Sequence, residues 1–370
     1  MITQYAAMTE EDIDGEVIER AGRILRDGGL VAFPTETVYG LGGDALNPES
    51  SRRIYAAKGR PSDNPLIVHV ACWEDVPAIV REVPESARLL ADAFWPGPLT
   101  MIFNKGECVP YETTGGLDTV AIRFPSNRIA QALIRAAGGY VAAPSANRSG
   151  RPSPTVAEYC REDLDGRVEM IIDGGEVGIG LESTIIDLTG EAPMILRPGY
   201  VTQTMLERTL GQVEVDKTIL SADSACRPKA PGMKYRHYAP RGELTIVEGS
   251  VQQAAPYINR QLKKAKEAGE RTGVICTDES RDRYCADVVR SVGSRSDEEE
   301  IAREIFRILR EFDDEGCTVM YSESFADGEI GQSRGENAPK GGIGTAIMNR
   351  LTKAAGHRII RREDIDSDCE

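Results

Sequence analysis

Three short segments of the chain combine hydroxyl, amide and cationic side chains in a pattern that suits a polyanionic ligand. They are residues 33–42 (FPTETVYGLG), residues 58–65 (KGRPSDNP) and residues 144–155 (PSANRSGRPSPT). A lysine supplies a point charge and an arginine a planar fork, which together suit a triphosphate. A loop rich in serine and glycine can surround phosphate oxygens with hydroxyl and backbone N–H donors. These segments therefore form the candidate binding site.

Each segment also has a plainer interpretation. Alone, the first is a polar turn, the second a solvated charged face and the third a generic Ser/Gly/Pro turn. His69, inside an apolar run, is alone more typical of a core histidine. A functional site is favoured because each segment adjoins a predicted buried strand, where binding groups are usually mounted. The Gly178-Ile-Gly180 pair precedes a strand, unlike the dinucleotide-binding motif, and the sequence has no Gly-x-x-x-x-Gly-Lys-Ser/Thr motif. If the triphosphate is ATP, it binds by a different arrangement of residues.

The elements that position these segments follow from hydrophobic patterning. Short apolar runs bounded by glycine and proline predict buried strands at 30–33, 67–70, 99–103, 120–124, 140–143, 170–172 and 183–188. Helical spacing predicts helices at 11–27, 84–94 and 126–137. From residue 243, strands and helices alternate, which predicts a small parallel sheet covered on its faces. We therefore divide the chain into an α/β domain (1–210), a linker (211–242) and a second α/β domain (243–370).

Composition excludes several classes of protein. The chain has 370 residues, 41% of them hydrophobic, which suits two domains with packed cores. The net charge of −15 disfavours tight nonspecific binding to nucleic acid. Eight scattered cysteines without a Cys-x-x-Cys pair argue against a zinc site or a disulfide framework. No apolar run is long enough to span a membrane and the acidic start is unlike a secretory signal, so we expect a cytoplasmic protein.

Taken together, the segments resemble the YrdC-like threonylcarbamoyl-AMP synthases. The likeness rests on segments in the same order and spacing: residues 33–42, 58–66, 95–100 (WPGPLT), 119–125, 144–155 and 180–184 (GLEST). Residues 231–240 (PGMKYRHYAP) and 346–355 (AIMNRLTKAA) resemble the longer, two-domain form of this family. The likeness is strong through the linker and weaker between residues 243 and 335.

The resemblance implies both a fold and a reaction. The fold would be a YrdC-like twisted mixed sheet with helices, followed by a smaller Rossmann-like parallel α/β domain. In this family, the amine of L-threonine captures bicarbonate or CO2, and the carbamate attacks the α-phosphate of ATP, which gives L-threonylcarbamoyladenylate and pyrophosphate. Mg2+ would enter with ATP, without protein ligands. The product would pass to a tRNA threonylcarbamoyl-transferase complex, while this chain would bind tRNA weakly at most.

The family's site residues carry over to named positions of this sequence. The catalytic set is Lys58, Arg60, Ser145 and Asn147. The ATP-binding set is Arg60, Asn64, Thr119, Ser145, Ser153, Arg197 and Tyr238. The threonine-binding set is Thr37, His69, Arg123, Ala143 and Ser183, with Arg123 pairing with the substrate carboxylate. Tyr235, His237 and Tyr238 of the linker would form a lid that excludes water and protects the product.

Two other functions share parts of this pattern. YrdC-like domains also occur in carbamoyltransferases of hydrogenase maturation, but those chains carry cysteine-rich zinc modules and an acylphosphatase segment that this sequence lacks. A nonenzymatic RNA-binding module is the second alternative. The acidic net charge and the absence of an aromatic stacking run in the sequence disfavour it.

Overall fold

The computed structural model describes residues 1–216, 219, 237–325 and 342–367, which form two compact units. The first unit comprises Met1–Ser149 and Ser153–Tyr235, and the second comprises Gly150–Pro152 and Arg236–Glu370. Most of the predicted linker lies outside the described residues, so the boundaries at 210 and 243 stay predictions. No helix in the described ranges is long and apolar enough to cross a membrane.

The first unit contains eleven strands and seven α-helices among its described residues. The strands are β1 (Gln4–Ala7), β2 (Val31–Phe33), β3 (Gly40–Asp44), β4 (Ile67–His69), β5 (Leu99–Asn104), β6 (Thr119–Arg123), β7 (Val141–Ala142), β8 (Met170–Asp173), β9 (Thr184–Asp187), β10 (Met194–Arg197) and β11 (Glu214–Val215). The helices are α1 (Gly15–Arg26), α2 (Pro48–Lys58), α3 (Val76–Ile79), α4 (Glu85–Phe94), α5 (Arg128–Ala136), α6 (Ala157–Leu164) and α7 (Gln203–Leu210).

These strands form one mixed sheet in the order β1-β8-β2-β3-β7-β4-β6-β5-β9-β10-β11. Alternate residues of β2 enter opposite cores, because side chains along a strand point to opposite faces. Ala32 belongs to the cluster with α2, α4 and α6, whereas Val31 and Phe33 belong to the cluster with α1 and α5. Burial of both faces explains why the strands read as continuous apolar runs.

The glycine-rich strand β3 differs from the sequence prediction, which placed residues 40–42 in a polar loop. β3 pairs antiparallel with both β2 and β7. A Cβ atom on Gly42 would lie 2.9 Å from both Phe33 Cε1 and Val141 Cγ1. Glycine is therefore required there by the close approach of side chains from both neighbouring strands, and the lack of an apolar run hid the strand.

The second unit is a five-stranded, fully parallel sheet in the order β14-β13-β15-β12-β16. Its elements are β12 (Glu243–Val247), α8 (Val251–Glu267), β13 (Thr272–Cys276), β14 (Val288–Ser291), α9 (Glu298–Asp314), β15 (Val319–Glu323), α10 (Ile343–Ala354), β16 (Ile359–Ile360) and α11 (Arg362–Ser367). The predicted mixed sheet followed by a smaller parallel α/β domain is thus confirmed. The short elements β1, β10, β11, β16 and α11 were not predicted.

Residues Gly150–Pro152 belong to the second unit although they interrupt the first in sequence. The fully buried Arg310 of α9 donates Nε and Nη2 to Pro152 O at 3.1 and 2.6 Å. Arg151 Nη2 lies 3.5 Å from Asp313 Oδ2, and Ala239 N donates to Gly150 O at 2.8 Å. Burial of an arginine requires such hydrogen bonds, so this short segment is firmly held within the second unit.

Candidate active site

Three loops of the first unit are joined by backbone hydrogen bonds. They are the hydroxyl turn (residues 34–39) after β2, the serine loop (residues 144–149 and 153–155) after β7 and the glutamate loop (residues 178–183) before β9. Tyr39 N donates to Pro154 O at 2.9 Å, and Ala146 N donates to Tyr39 O at 2.8 Å. Gly180 N donates to Thr37 O at 3.0 Å. The fold therefore brings together segments that are far apart in the sequence.

Lys58 is the last residue of α2, and the way this helix ends fixes its position. Gly59 follows in the left-handed region with φ 64°, which glycine adopts without steric cost. Gly59 N donates to Ala56 O at 3.3 Å and Arg60 N donates to Tyr55 O at 2.9 Å. These bonds satisfy carbonyl groups that a helix end otherwise leaves unpaired. The capped end thus holds both predicted cations on one tight turn.

The buried ammonium of Lys58 holds the serine loop. Its Nζ donates to the carbonyl oxygens of Ser145 and Asn147 and to Asn147 Oδ1 at 3.4 Å. Ser145 Oγ donates to Asn147 Oδ1, and Ser149 N donates back to Lys58 O at 2.9 Å. Three of the four predicted catalytic residues are therefore in direct contact. The predicted contact of Lys58 with phosphate stays a prediction, and the structure adds a positioning role.

Arg60, the fourth member of that set, points its guanidinium toward the start of β4. Its Nε donates to Asn64 O at 3.3 Å and its Nη2 to Pro65 O at 3.1 Å. Asn64 is 1% exposed, and its Oδ1 has no hydrogen-bond partner among the described residues. Thr119 begins β6, the parallel neighbour of β4. Three residues assigned to ATP thus lie near the amino ends of these two strands.

Two members of the threonine-binding set lie at the opposite, carboxyl ends of the same strands. His69 and Arg123 end β4 and β6 and are register partners. At about 3.3 Å per residue, Arg123 lies roughly 13 Å from Thr119 along β6. Ala143 lies between these ends, because its N–H donates to Ile67 O at 2.9 Å. The register therefore separates His69 and Arg123, assigned to threonine, from Thr119, assigned to ATP.

Arg123 and Glu36 form a buried ion pair with unused hydrogen-bonding capacity. Their side chains are 5% and 13% exposed, and Arg123 Nη2 lies 2.8 Å from Glu36 Oε1. Two other polar atoms of the pair, Glu36 Oε2 and Arg123 Nε, have no hydrogen-bond partner among the described residues. Buried ionic groups are costly unless hydrogen-bonded, so this pair has capacity for a polar ligand.

His69 is held in the neutral form beside this pair. Burial, and then the positive charge of Arg123, lower the pKa of His69 to about 3. Its Nδ1–H donates to Ile67 O at 3.1 Å, and its ring meets Phe33 edge-on at 6.4 Å. His69 therefore offers a fixed neutral ring and adds no competing positive charge.

Ser183 is fully buried and joins β5 to the end of β10. Its Oγ lies 2.7 Å from Thr100 Oγ1. Arg197 donates Nε to Ser183 O at 3.0 Å and Nη2 to Ser183 Oγ at 3.2 Å. A Cβ atom on Gly199 would lie 2.4 Å from Thr184 N, so the chain after Arg197 passes directly against the start of β9. Arg197, assigned to ATP, thus contacts Ser183, assigned to threonine.

Two carboxylates of the site were missed by the sequence prediction. Ser153, assigned to ATP, donates its Oγ to Glu182 Oε1 at 2.7 Å, and both residues are buried. Glu36 faces Arg123 as described above. In each case the available signal was a single glutamate among hydroxyl, glycine and apolar residues in a loop that adjoins a buried strand. Such a glutamate needs a partner in the folded state.

The predicted lid is only partly within the described residues. Tyr235 lies outside them. Tyr238 belongs to the second unit, has φ 62° and stacks on Phe306 with ring centroids 4.9 Å apart. His237 lies 5.6 Å from the Tyr238 ring. The lid therefore stays a prediction, as do the roles assigned to individual site residues.

Metal binding by protein side chains finds no support in the described ranges. Within residues 1–216, 237–325 and 342–367, no group of three or more His, Cys, Asp or Glu side chains is arranged to hold a metal ion. The entry of Mg2+ with ATP stays a prediction.

Comparisons with known proteins match both units. The model of the family described as "Telomere recombination" (Sua5_yciO_yrdC) matches residues 23–199, and that of "Threonylcarbamoyl-AMP synthase, C-terminal domain" matches residues 201–356. The threonylcarbamoyl-AMP synthase of Pyrococcus abyssi is 46% identical over 353 residues, which are 95% of this chain and 97% of that protein. The chain belongs to the threonylcarbamoyl-AMP synthase family. The Bacillus subtilis threonylcarbamoyl-AMP synthase is 45% identical and covers 93% of this chain and 94% of its own length.

A solved structure extends this likeness to the fold. Pyrococcus abyssi Sua5 complexed with L-threonine matches with a TM-score of 0.87 at 44% identity, over 98% of this chain and 99% of that chain. The two-domain form of the family is therefore the form found here, and both α/β units are family features.

Proposed function

We propose that this threonylcarbamoyl-AMP synthase family member forms L-threonylcarbamoyladenylate from L-threonine, bicarbonate and ATP and releases pyrophosphate. The adenylate would supply a tRNA threonylcarbamoyl-transferase complex that modifies tRNA next to the anticodon, and we expect this to occur in the cytoplasm. The observation that carries the proposal is the separation of two unlike polar groups in one site. A buried Glu36–Arg123 pair lies at one end of β6, and Arg60, Asn64 and Thr119 lie at the other.

Each group suits one substrate. At the carboxyl end of β6, Arg123 would bind the carboxylate of threonine, with His69 and Ser183 beside it. At the amino end, Arg60 and Asn64 would face ATP, together with the serine loop that Lys58 holds. Substrates bound in this way would meet between the two groups, near Ala143.

Positioning and electrostatics account for the chemistry in this proposal. The carbamate of threonine is itself the nucleophile toward the α-phosphate, so no covalent enzyme nucleophile is needed. Preorganised donors on the serine loop would stabilise charge that develops on the phosphates. Mg2+ bound to the leaving phosphates would neutralise part of that charge. The predicted lid of Tyr235, His237 and Tyr238 would exclude water during the reaction.

Release of pyrophosphate tests this function. The purified full-length chain should release pyrophosphate only when ATP, L-threonine and bicarbonate are all present, and omission of any one should abolish the signal. Pyrophosphate release that does not depend on threonine would contradict the proposed reaction. A nonenzymatic RNA-binding module would release none under any condition.

A further inference from the structure

Glu36 has a fixed position in the hydroxyl turn. Its carbonyl accepts from Ile179 N at 2.9 Å, which ties the turn to the glutamate loop. On either side, Thr35 Oγ1 accepts from Thr37 N at 3.2 Å and donates to Val38 O at 2.6 Å. These bonds fix the backbone on both sides of Glu36, so its side chain is directed at Arg123 by the fold rather than by the ion pair alone.

Arg123 is held equally firmly from the other side. Its carbonyl accepts from Val70 N at 2.9 Å, and the residue pairs with His69 on β4 and Thr100 on β5. Two opposite charges are thus set 2.8 Å apart on rigid elements and are almost fully buried. Preorganised groups of this kind bind a ligand without the cost of ordering them first.

The unused hydrogen-bonding atoms define which ligand fits. Glu36 Oε2 can accept, and Arg123 Nε can donate, without disturbing the contact between Oε1 and Nη2. An ammonium group has three donors and no acceptor, whereas a carboxylate has acceptors only. A ligand that carries both groups one carbon apart satisfies both partners at once.

We propose that Glu36 and Arg123 together recognise the zwitterionic head of an α-amino acid, with Glu36 taking the ammonium group and Arg123 the carboxylate. Glu36 is thereby a specificity-determining residue of the threonine site, an inference that rests on the proposed function. Because burial holds the pKa of His69 near 3, the ring is neutral and does not compete as a cation on β4 with the ammonium group for Glu36.

The same contact places a base beside the reacting amine. A protonated amine has no lone pair, so it must lose a proton before the N–C bond to bicarbonate forms. Glu36 accepts that proton, the amine nitrogen bonds to the bicarbonate carbon, and the C–OH bond breaks. The second amine proton is transferred to that hydroxyl, which leaves as water. The products are the carbamate of threonine, water and a protonated Glu36 carboxyl, which balances atoms and charge against ammonium, bicarbonate and carboxylate.

Recognition of the ammonium group is tested by calorimetric measurement of ligand affinity for the full-length wild-type chain without ATP. L-Threonine is compared with 2,3-dihydroxybutanoate, in which a hydroxyl replaces the amine. We expect the wild type to prefer threonine by about tenfold or more, since a charge-assisted hydrogen bond is lost with the analogue. Equal affinities in the wild type would overturn the proposal even if every Glu36 variant failed to fold.

The variants assign the preference to one residue. Glu36→Gln should bind threonine and the analogue about equally, whereas Glu36→Asp, which keeps the charge, should retain part of the preference. Glu176→Gln removes the same charge from an exposed position of the same unit and should behave as wild type. A Glu36→Gln variant that keeps the wild-type preference would overturn the assignment to Glu36.

Turnover at saturating threonine tests the proton step. Glu36→Gln should lower kcat about tenfold or more, because an amide cannot accept the proton, and Glu36→Asp should restore much of it. An unchanged kcat for Glu36→Gln would contradict proton transfer to this residue. Wild-type binding of threonine without any adenylate formation would contradict the proposed reaction and leave the recognition result intact, so the two failures are distinguishable.

Discussion

Replacing Lys58 by methionine removes a buried ammonium while keeping most of the side-chain volume. Its Nζ donates to the carbonyl oxygens of Ser145 and Asn147, and the residue is 2% exposed. Hydrogen bonds to charged groups contribute about 1.5–3 kcal/mol each, so we expect the free energy of unfolding to fall by roughly 3 kcal/mol. For a unit of this size that corresponds to a Tm lower by roughly 6–12 °C.

The same substitution should lower activity even under conditions in which the variant is fully folded. Without the ammonium the serine loop loses the hydrogen bonds from Nζ, and the site loses the cation that we propose lies near the phosphates. We expect kcat/KM to fall about 100-fold, which is roughly 2.7 kcal/mol of transition-state stabilisation. The assay is pyrophosphate release at saturating ATP, at a temperature where both proteins are fully folded by circular dichroism.

Lys105→Met is the matched control. Lys105 is also buried, donates to Val109 O at 3.1 Å and lies 4.2 Å from the Tyr111 ring centroid, in none of the three site loops. It should lower Tm while kcat/KM stays within about twofold of wild type. Near-normal turnover of Lys58→Met would refute the role of Lys58 in catalysis. An equal loss of kcat/KM in both variants would mean that the loss comes from lower stability alone.

Three further predictions concern pH, packing and substrate choice. Since the pKa of His69 is about 3 when folded and about 6.5 when unfolded, stability should fall as pH drops below 6.5. His69→Gln should make the free energy of unfolding, measured with urea, about 2 kcal/mol less sensitive to a drop in pH from above 6.5 to 5. An unchanged dependence of this free energy on pH would contradict the prediction. Gly199→Ala should lower Tm and activity because its Cβ would meet Thr184 N at 2.4 Å, whereas Gly190→Ala, with 3.7 Å to its nearest atom, should not; equal Tm values would refute this. Relative to L-threonine, kcat/KM should be far lower for L-valine, and for L-serine lower by the equivalent of about 1–3 kcal/mol. Comparable kcat/KM values for valine and threonine would contradict the threonine assignment.

The strands that were predicted correctly are those whose residues form a continuous apolar run in the sequence. Strands β2, β4, β5 and β6 are buried on both faces, and their boundaries agree with the predictions to within one residue. Strand β3 was not predicted because its close packing between two neighbouring strands requires glycine, which leaves no apolar run. Strand β1 was not predicted because it is short and largely exposed. Local patterning carries no information about a strand that its partners define.

The site was predictable in residue type but not in pairing. The position of Lys58 followed from its motif, yet the acceptors of its ammonium depend on how α2 meets the serine loop. The Glu36–Arg123 pair joins residues of the hydroxyl turn and β6, and only the sheet register brings them together. Contacts of this kind come from tertiary structure, which residue spacing in one sequence does not specify.

Incorporation of labelled bicarbonate into the product tests the proposed reaction most directly. The full-length chain is incubated with ATP, L-threonine and 13C-bicarbonate, and the nucleotide products are analysed by mass spectrometry. We expect threonylcarbamoyl-adenylate one mass unit heavier than the product from unlabelled bicarbonate, in amounts that match the pyrophosphate released. Pyrophosphate release with no labelled adenylate would contradict the account.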